Sequence, residues 1–211
     1  MDLTFIRQGY KNKSLEKEDL NPDPFFQFEF WFEKAKEEEP IPTAMSLSTV
    51  NNNGEPALRT VLLKLFDKKG FVFFTNYKSR KADHIAENPN VAALFNWVAL
   101  ERQVIITGFA EKIKTKESKK YFMSRPRGSQ LGAWVSDQSS VLSSRKILEL
   151  KLDEMKRKFS DSEIPLPDFW GGYKIIPKTF EFWQGRPNRL HDRFIYTKQG
   201  NAPWRIDRIA P

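Results

Sequence analysis

Residues 43–75 read TAMSLSTVNNNGEPALRTVLLKLFDKKGFVFFT. From Thr43 to Val50 polar and apolar side chains alternate, the period of a strand with one buried face. Asn51-Asn-Asn-Gly54 supplies the backbone-permissive residues of a hairpin turn, and Ala57–Phe66 is predicted as the returning strand. Asp67–Gly70 turns the chain again into Phe71–Thr75. Strands joined by turns this short run antiparallel, because a parallel crossover needs a dozen residues or more.

Working outward, residues 1–22 are polar and mixed in charge, a mobile N-terminal segment ordered only by docking. Asn21-Pro-Asp-Pro24 offers a cap for a helix over Pro24–Glu39, where Phe25, Phe28, Phe32 and Ala35 recur at helical spacing and mark a core face. Downstream, short helices are predicted at Ser79–Glu87, Lys116–Met123 and Ser144–Phe159. Strands are predicted at Asn90–Trp97, Gln103–Lys114, Tyr173–Trp183, Asp192–Thr197 and Trp204–Arg208. Six to eight antiparallel strands broken by helices describe a mainly β, α+β chain, a small barrel with helical excursions over residues 23–211. No βαβ rhythm and no GxGxxG is present, which disfavours a doubly wound nucleotide fold.

Composition narrows the chemistry. Aromatic residues make up 14% of the 211 positions, a load that argues for a packed core rather than disorder. There is no cysteine, so disulfides, zinc–thiolate sites and thiol catalysis are excluded, and two isolated histidines, His84 and His191, argue against a histidine metal site. The opening residues lack a signal-peptide core and no run of 18 apolar residues occurs, so a cytoplasmic chain with no membrane span is expected. A net charge of +8 suits nucleic acid and phosphorylated small molecules alike.

Five clusters can carry chemistry. In Arg59-Thr-Val-Leu-Leu-Lys64 the two cations are five apart, so they face opposite sides of an ideal strand unless a bend intervenes. Thr75-Asn-Tyr-Lys-Ser-Arg80-Lys81 places hydroxyls and two cations at a helix start, an anion site in preference to a Ser-capped helix with a basic first turn. In Tyr121–Ser129, Tyr121 and Arg125 share a helix face, Pro126 ends the helix, and Gly128-Ser129 turns back. Gln138 and Ser139, in a hydroxyl-rich loop, either bond a ligand or cap the next helix, and Gln103 is equally ambiguous.

The last cluster is Phe180–Arg193, FEFWQGRPNRLHDR. Arg189 and His191 share a face if this stretch is an extended strand, with Asp192 beside them to fix a charge or a tautomer. Trp183 with Arg186, Arg189 and Arg193 suits a planar anionic ligand, while a salt-bridged edge strand accounts for the same residues.

This segment resembles the signature of the pyridoxine (pyridoxamine) 5′-phosphate oxidase family, E-x-W-Q, four residues, then R-L-H-D-R. The blocks RTVLLK, TNYKSRK, LERQV, YFMSRPRGSQLGAWVSDQSS and PLPDFWGGY are similar to that family's and stand in the same order, over about Asn21–Pro211. The resemblance implies an FMN-binding split β-barrel and a homodimer with the active site at the subunit interface. It further implies oxidation of pyridoxine or pyridoxamine 5′-phosphate to pyridoxal 5′-phosphate with O2 as acceptor. It assigns the cofactor to Arg59, Thr75, Arg80, Lys81 and Ser139, with Gln103, Gln138, Trp183 and Arg193 at the flavin. Phe74, where the family often has Tyr, also falls in the cofactor set. Substrate phosphate is assigned to Lys64 (also near the cofactor), Tyr121, Arg125 and Ser129. Arg189 and His191 are the catalytic pair over the pyridine ring, and Arg7 and Tyr10 belong to a closing N-terminal segment. Metal is not implied. Two rivals stand beside it: a non-catalytic flavin-binding split barrel, and a colourless nucleic-acid-binding barrel with steeply salt-dependent affinity.

Overall fold

The computed structural model describes residues 1–5, 9–11, 14–198, 200 and 202–211. Helix α1 (Pro24–Glu38) starts where the sequence predicts, with the Asp23 carboxylate accepting the Phe25 N–H at 2.9 Å and Pro24 in the first turn. Strands β1 (Ala44–Val50) and β2 (Pro56–Leu62) form the expected hairpin. The strand predicted over Ala57–Phe66 is in fact two, β2 and β3 (Leu65–Asp67), broken at Leu63-Lys64. The break exchanges partners: Leu63 N–H donates to Thr43 O on one side, and Lys64 N–H donates to Val72 O on the other.

Strands β4 (Gly70–Asn76), β5 (Asn90–Trp97), β6 (Arg102–Lys112), β7 (Trp170–Gln184), β8 (Asp192–Thr197) and β9 (Arg205–Arg208) complete a sheet whose nine described strands pair antiparallel throughout. Its main path runs β2-β1-β5-β6-β7-β4-β3. Because β3 continues from β2, the path curls back on itself. The long β7 divides its free edge: residues 170–175 take β4 as neighbour, and 179–184 take β8. The register shifts between Thr107 and Gly108, where Lys178 is the extra, unpaired residue of a bulge in β7 beside Pro177. Proline has no N–H to give the ladder there, and a Cβ on Gly108 would sit 2.0 Å from Ile176 O.

Helix α1 packs across the curled sheet. Phe28, Trp31 and Ala35 are buried, Phe28 against Phe71 (centroids 4.8 Å) and Trp31 against Phe182 (5.2 Å). Each such aromatic contributes about 1.5–3 kcal/mol by leaving water. Of the predicted stripe, Phe25 and Phe32 are only half-buried, and Trp31 carries more of the core than either. Helices α2 (Arg80–Glu87), α3 (Thr115–Ser124), α4 (Arg127–Val135) and α5 (Lys146–Lys158) fill the connections. Helix α4 was not predicted: Pro126 ends α3 but also begins the next helix, its carbonyl receiving the Ser129 and Gln130 N–H groups. Gln130 then donates to the carbonyls of Phe122, Met123 and Arg125, the open end of α3, and so fixes the angle between the two helices. No helix among the described residues is long and apolar enough to cross a membrane.

Candidate active site

The partner switch at Leu63-Lys64 has a direct consequence. Arg59 and Lys64, expected on opposite faces, line one cavity of about 740 Å3 because the chain bends between them. Phe74, Thr75, Arg80, Lys81, Tyr121, Arg125, Ser129, Gln138 and Ser139 line it too. Its wall holds five cationic side chains and no carboxylate. A chain with 27 acidic residues that keeps every one of them out of this cationic cavity has left room for an anion.

At one end Lys81, on the first turn of α2, is buried. Its ammonium donates to Gln138 Oε1 (2.7 Å), Thr75 Oγ1 (3.0 Å) and Ser79 Oγ (3.1 Å). All three acceptors are neutral, so burial, and then the Arg59 charge, pull its pKa down to about 8. Ser79 does not cap α2 in the usual way, since its hydroxyl donates to Asn76 O. Ser139 stands at φ 78° and accepts the Arg80 N–H at 3.3 Å. The next helix begins at Lys146 with Arg145 before it, so Gln138 and Ser139 serve this cavity and not a helix cap. Arg59 is aimed by Leu47 O (2.9 Å) and Thr49 Oγ1 (2.8 Å), and burial followed by the nearby Arg80 lowers its pKa.

At the other end Tyr121 stacks on Phe74, centroids 3.9 Å apart at 20°. Arg125 closes α3, and its guanidinium has no ion pair or hydrogen bond among the described residues. Burial lowers its pKa and its Nη1 is an orphaned buried donor, the state that a bound oxyanion would complete. Trp170, for which sequence reasoning found no role, lines the same wall. Its block was legible, but Tyr121 and Arg125 lie more than forty positions away in the chain.

The remaining predicted residues lie elsewhere. Gln103, Trp183 and Arg193 are direct ladder partners across β6, β7 and β8, so their side chains share one face in one row. Trp170 and Trp183 are 13 residues apart on β7, roughly 40 Å along the strand. One chain therefore does not bring this row to the cationic cavity, and Gln138 belongs with the cavity rather than with the row. Arg193 is already paired, with Glu181 Oε1 at 2.8 Å and Ala210 O at 2.9 Å.

Arg189 and His191 are not on a strand. Pro187–Arg189 is a single helical turn with Asn188 at φ 57° and Arg189 at φ 61°, and β8 begins only at Asp192. Proline and two left-handed residues interrupt the extended backbone that the two-residue spacing presumed. His191 packs on Trp183 at 4.6 Å, and Tyr10 meets both rings edge-on at 5.5 and 5.2 Å. The tautomer is not set by Asp192, whose carboxylate pairs with Arg208 (2.7 Å) and Arg186 (3.4 Å). It is set by the Arg186 N–H, which donates to His191 Nδ1 at 3.1 Å and leaves the proton on Nε2. Burial and the flanking Arg189 and Arg193 lower the His191 pKa and reinforce the neutral ring. Arg7 lies outside the described residues.

The Lys81 environment makes a pH prediction. Its folded pKa of about 8 lies below the ordinary lysine value of 10.5, so the unfolded chain binds more protons between those limits. Stability of the ligand-free fold therefore rises with pH through that window, whereas an anion needs the charged form and is bound less tightly above about pH 8. Titrating the protein with FMN from pH 7 to 10 should show the dissociation constant climbing above pH 8. Lys81→Met should bind about 10–100-fold more weakly at pH 7 and show a flattened profile. An unchanged slope in the variant would assign the titration to another group.

Residues 32–159 match the family model described as pyridoxamine 5′-phosphate oxidase, and residues 170–211 match the pyridoxine 5′-phosphate oxidase C-terminal dimerisation region. The pyridoxine/pyridoxamine 5′-phosphate oxidase of Rippkaea orientalis is 61% identical, with all of both chains covered. That of Aliarcobacter butzleri is 58% identical over the same full extent. Among solved structures, PhzG from Burkholderia lata in complex with tetrahydrophenazine-1-carboxylic acid superposes with a TM-score of 0.88 at 25% identity, covering 97% of this chain and all of that one. A pyridoxamine 5′-phosphate oxidase-related, FMN-binding protein from Nostoc punctiforme shares the fold at a TM-score of 0.72 and 17% identity, covering 91% and 98%.

Proposed function

The chain belongs to the pyridoxamine 5′-phosphate oxidase family, and from that premise we propose how its residues divide the work between FMN and substrate. The activity is that of an FMN-dependent oxidase acting on pyridoxine 5′-phosphate and pyridoxamine 5′-phosphate to give pyridoxal 5′-phosphate. The observation that carries the division is the cavity wall, with five cations, no carboxylate, a buried lysine and a half-buried arginine that lack counter-ions among the described residues.

FMN fits that wall. Lys81, Arg59, Arg80, Thr75 and Ser139 would hold its phosphate and ribityl chain, supplying charge-assisted bonds that the chain leaves unmade. When bound, FMN supplies the two-electron oxidation at the substrate 4′ carbon, and the electrons leave on dioxygen as hydrogen peroxide. Lys64, Tyr121, Arg125 and Ser129 would grip the substrate phosphate at the other end of the cavity. Holding both ends of the substrate converts binding into orientation, the larger part of the gain expected from this protein.

The row Gln103, Trp183, Arg193 and the pair Arg189, His191 are contributed by the other protomer of a homodimer in this reading. Its support is that one chain keeps them roughly a strand's length from the cavity, while residues 170–211 match a dimerisation region. Neutral His191 donates from Nε2, Arg189 supplies fixed positive charge, and the chain needs no obligatory acid or base. Residues 23–211 act as one unit, with Tyr10 closing over Trp183 and His191.

The test is substrate discrimination in the FMN-saturated protein. Pyridoxine 5′-phosphate should yield one peroxide per aldehyde, and Arg125→Ala should raise its KM about 10–100-fold while leaving that of pyridoxine nearly unmoved. Equal turnover of pyridoxine and its phosphate by the wild-type protein would refute the phosphate arm.

A further inference from the structure

Trp170 packs behind the arm assigned to the substrate phosphate. Arg125 is clamped at its backbone, where Gln130 Nε2 donates to its carbonyl at 3.1 Å. Its guanidinium is held differently, by aromatic faces: the carbon centre lies 4.6 Å from the Trp170 ring and 5.8 Å from Phe122. No carboxylate pairs with it among the described residues. Trp170 is 8% exposed at the start of β7 and lies nearly parallel to Phe74 (12°) and Tyr121 (8°). One indole thus backs two members of the phosphate arm, Arg125 by its face and Tyr121 through Phe74.

We infer that Trp170 is a positioning residue for the substrate phosphate, holding Arg125 by a cation–π contact that leaves the guanidinium edge free for the ester. A carboxylate in the same place would fix the arginine equally well but would occupy its donors and cancel its charge. An aromatic face attracts the cation through its quadrupole and uses none of the N–H groups. Burial of Nη1 also keeps water from that donor, which strengthens its bond to an incoming oxyanion. This inference rests on the assignment of Arg125 to the substrate phosphate.

The experiment compares Trp170→Leu, which removes the face, with Trp170→Phe, which keeps a weaker one, in FMN-saturated enzyme. For Trp170→Leu the KM for pyridoxine 5′-phosphate should rise about tenfold, with kcat and the FMN dissociation constant within about twofold of wild type. KM for unphosphorylated pyridoxine should not follow. Trp170→Phe should raise the KM for pyridoxine 5′-phosphate about threefold, and in an Arg125→Ala background Trp170→Phe should have no further effect on KM, because the cation it positions is gone. That double-variant cycle stands even if the leucine variant does not fold. A KM for pyridoxine 5′-phosphate unchanged in both Trp170 variants, or an additive effect with Arg125→Ala, overturns the inference and leaves the function intact. A wild-type enzyme with no preference for the phosphate ester overturns the function, and this inference with it.

Discussion

Arg189→Ala is expected to lower kcat about 10²-fold while the protein keeps its FMN. Arg189 is exposed, its backbone sits at φ 61°, and it forms no ion pair among the described residues. Removing it therefore opens no core void and strands no buried partner, so the fold has little to lose. A cation held in a strained backbone conformation, with no ion pair among the described residues, is available to something brought to it. If the charge orients the substrate ring, its loss acts on the chemical step. Flavin content by absorbance and turnover at saturating substrate separate the two outcomes. A variant that loses FMN yet turns over normally when FMN is saturating would place Arg189 in the cofactor site instead.

Mixing two inactive proteins should restore activity. In the proposed homodimer each site takes its phosphate arm from one protomer and its Arg189 from the other. Arg125→Ala and Arg189→Ala homodimers, assayed at substrate well below KM, should each be poor enzymes. After subunit exchange half the dimers are mixed, and each of these carries one site with both substitutions and one with neither. Recovery should approach about a quarter of wild-type activity in an equal mixture. If Arg125 and Arg189 served one site within a chain, every site in every mixed dimer would remain defective and no activity would return. Differentially tagged chains purified as mixed dimers would remove the dilution and give about half of wild type.

Much of this protein is legible along the chain because its cues are local. The Asn51–Gly54 turn, the Asp23 cap and the alternation in Thr43–Val50 each involve residues within one or two turns of one another. Where the reading failed, a distant partner decided the outcome. Leu63-Lys64 looks like mid-strand, yet consecutive N–H groups bond to Thr43 and Val72, and the strand breaks there. Pro126 reads as an end, but Gln130 ties the new helix back onto α3. Gln103 is mute in sequence and becomes informative only when register places it opposite Trp183. Trp170 gains its role from Arg125 across the sheet–helix boundary.

Residue types and their order were enough to specify an antiparallel, helix-interrupted barrel, two groups of candidate anion-binding side chains and the family signature at Phe180–Arg193. Periodicity and turn chemistry are properties of neighbouring residues, so those features need no folded chain to be seen. The folded chain alone decided that Arg59 and Lys64 share a cavity, that this cavity excludes every carboxylate, and that Arg189 and His191 do not line it. Those outcomes depend on a partner exchange at one peptide and on ladder register over 15 residues of β7. Both are set by packing between segments far apart in the chain, where no local pattern reports them.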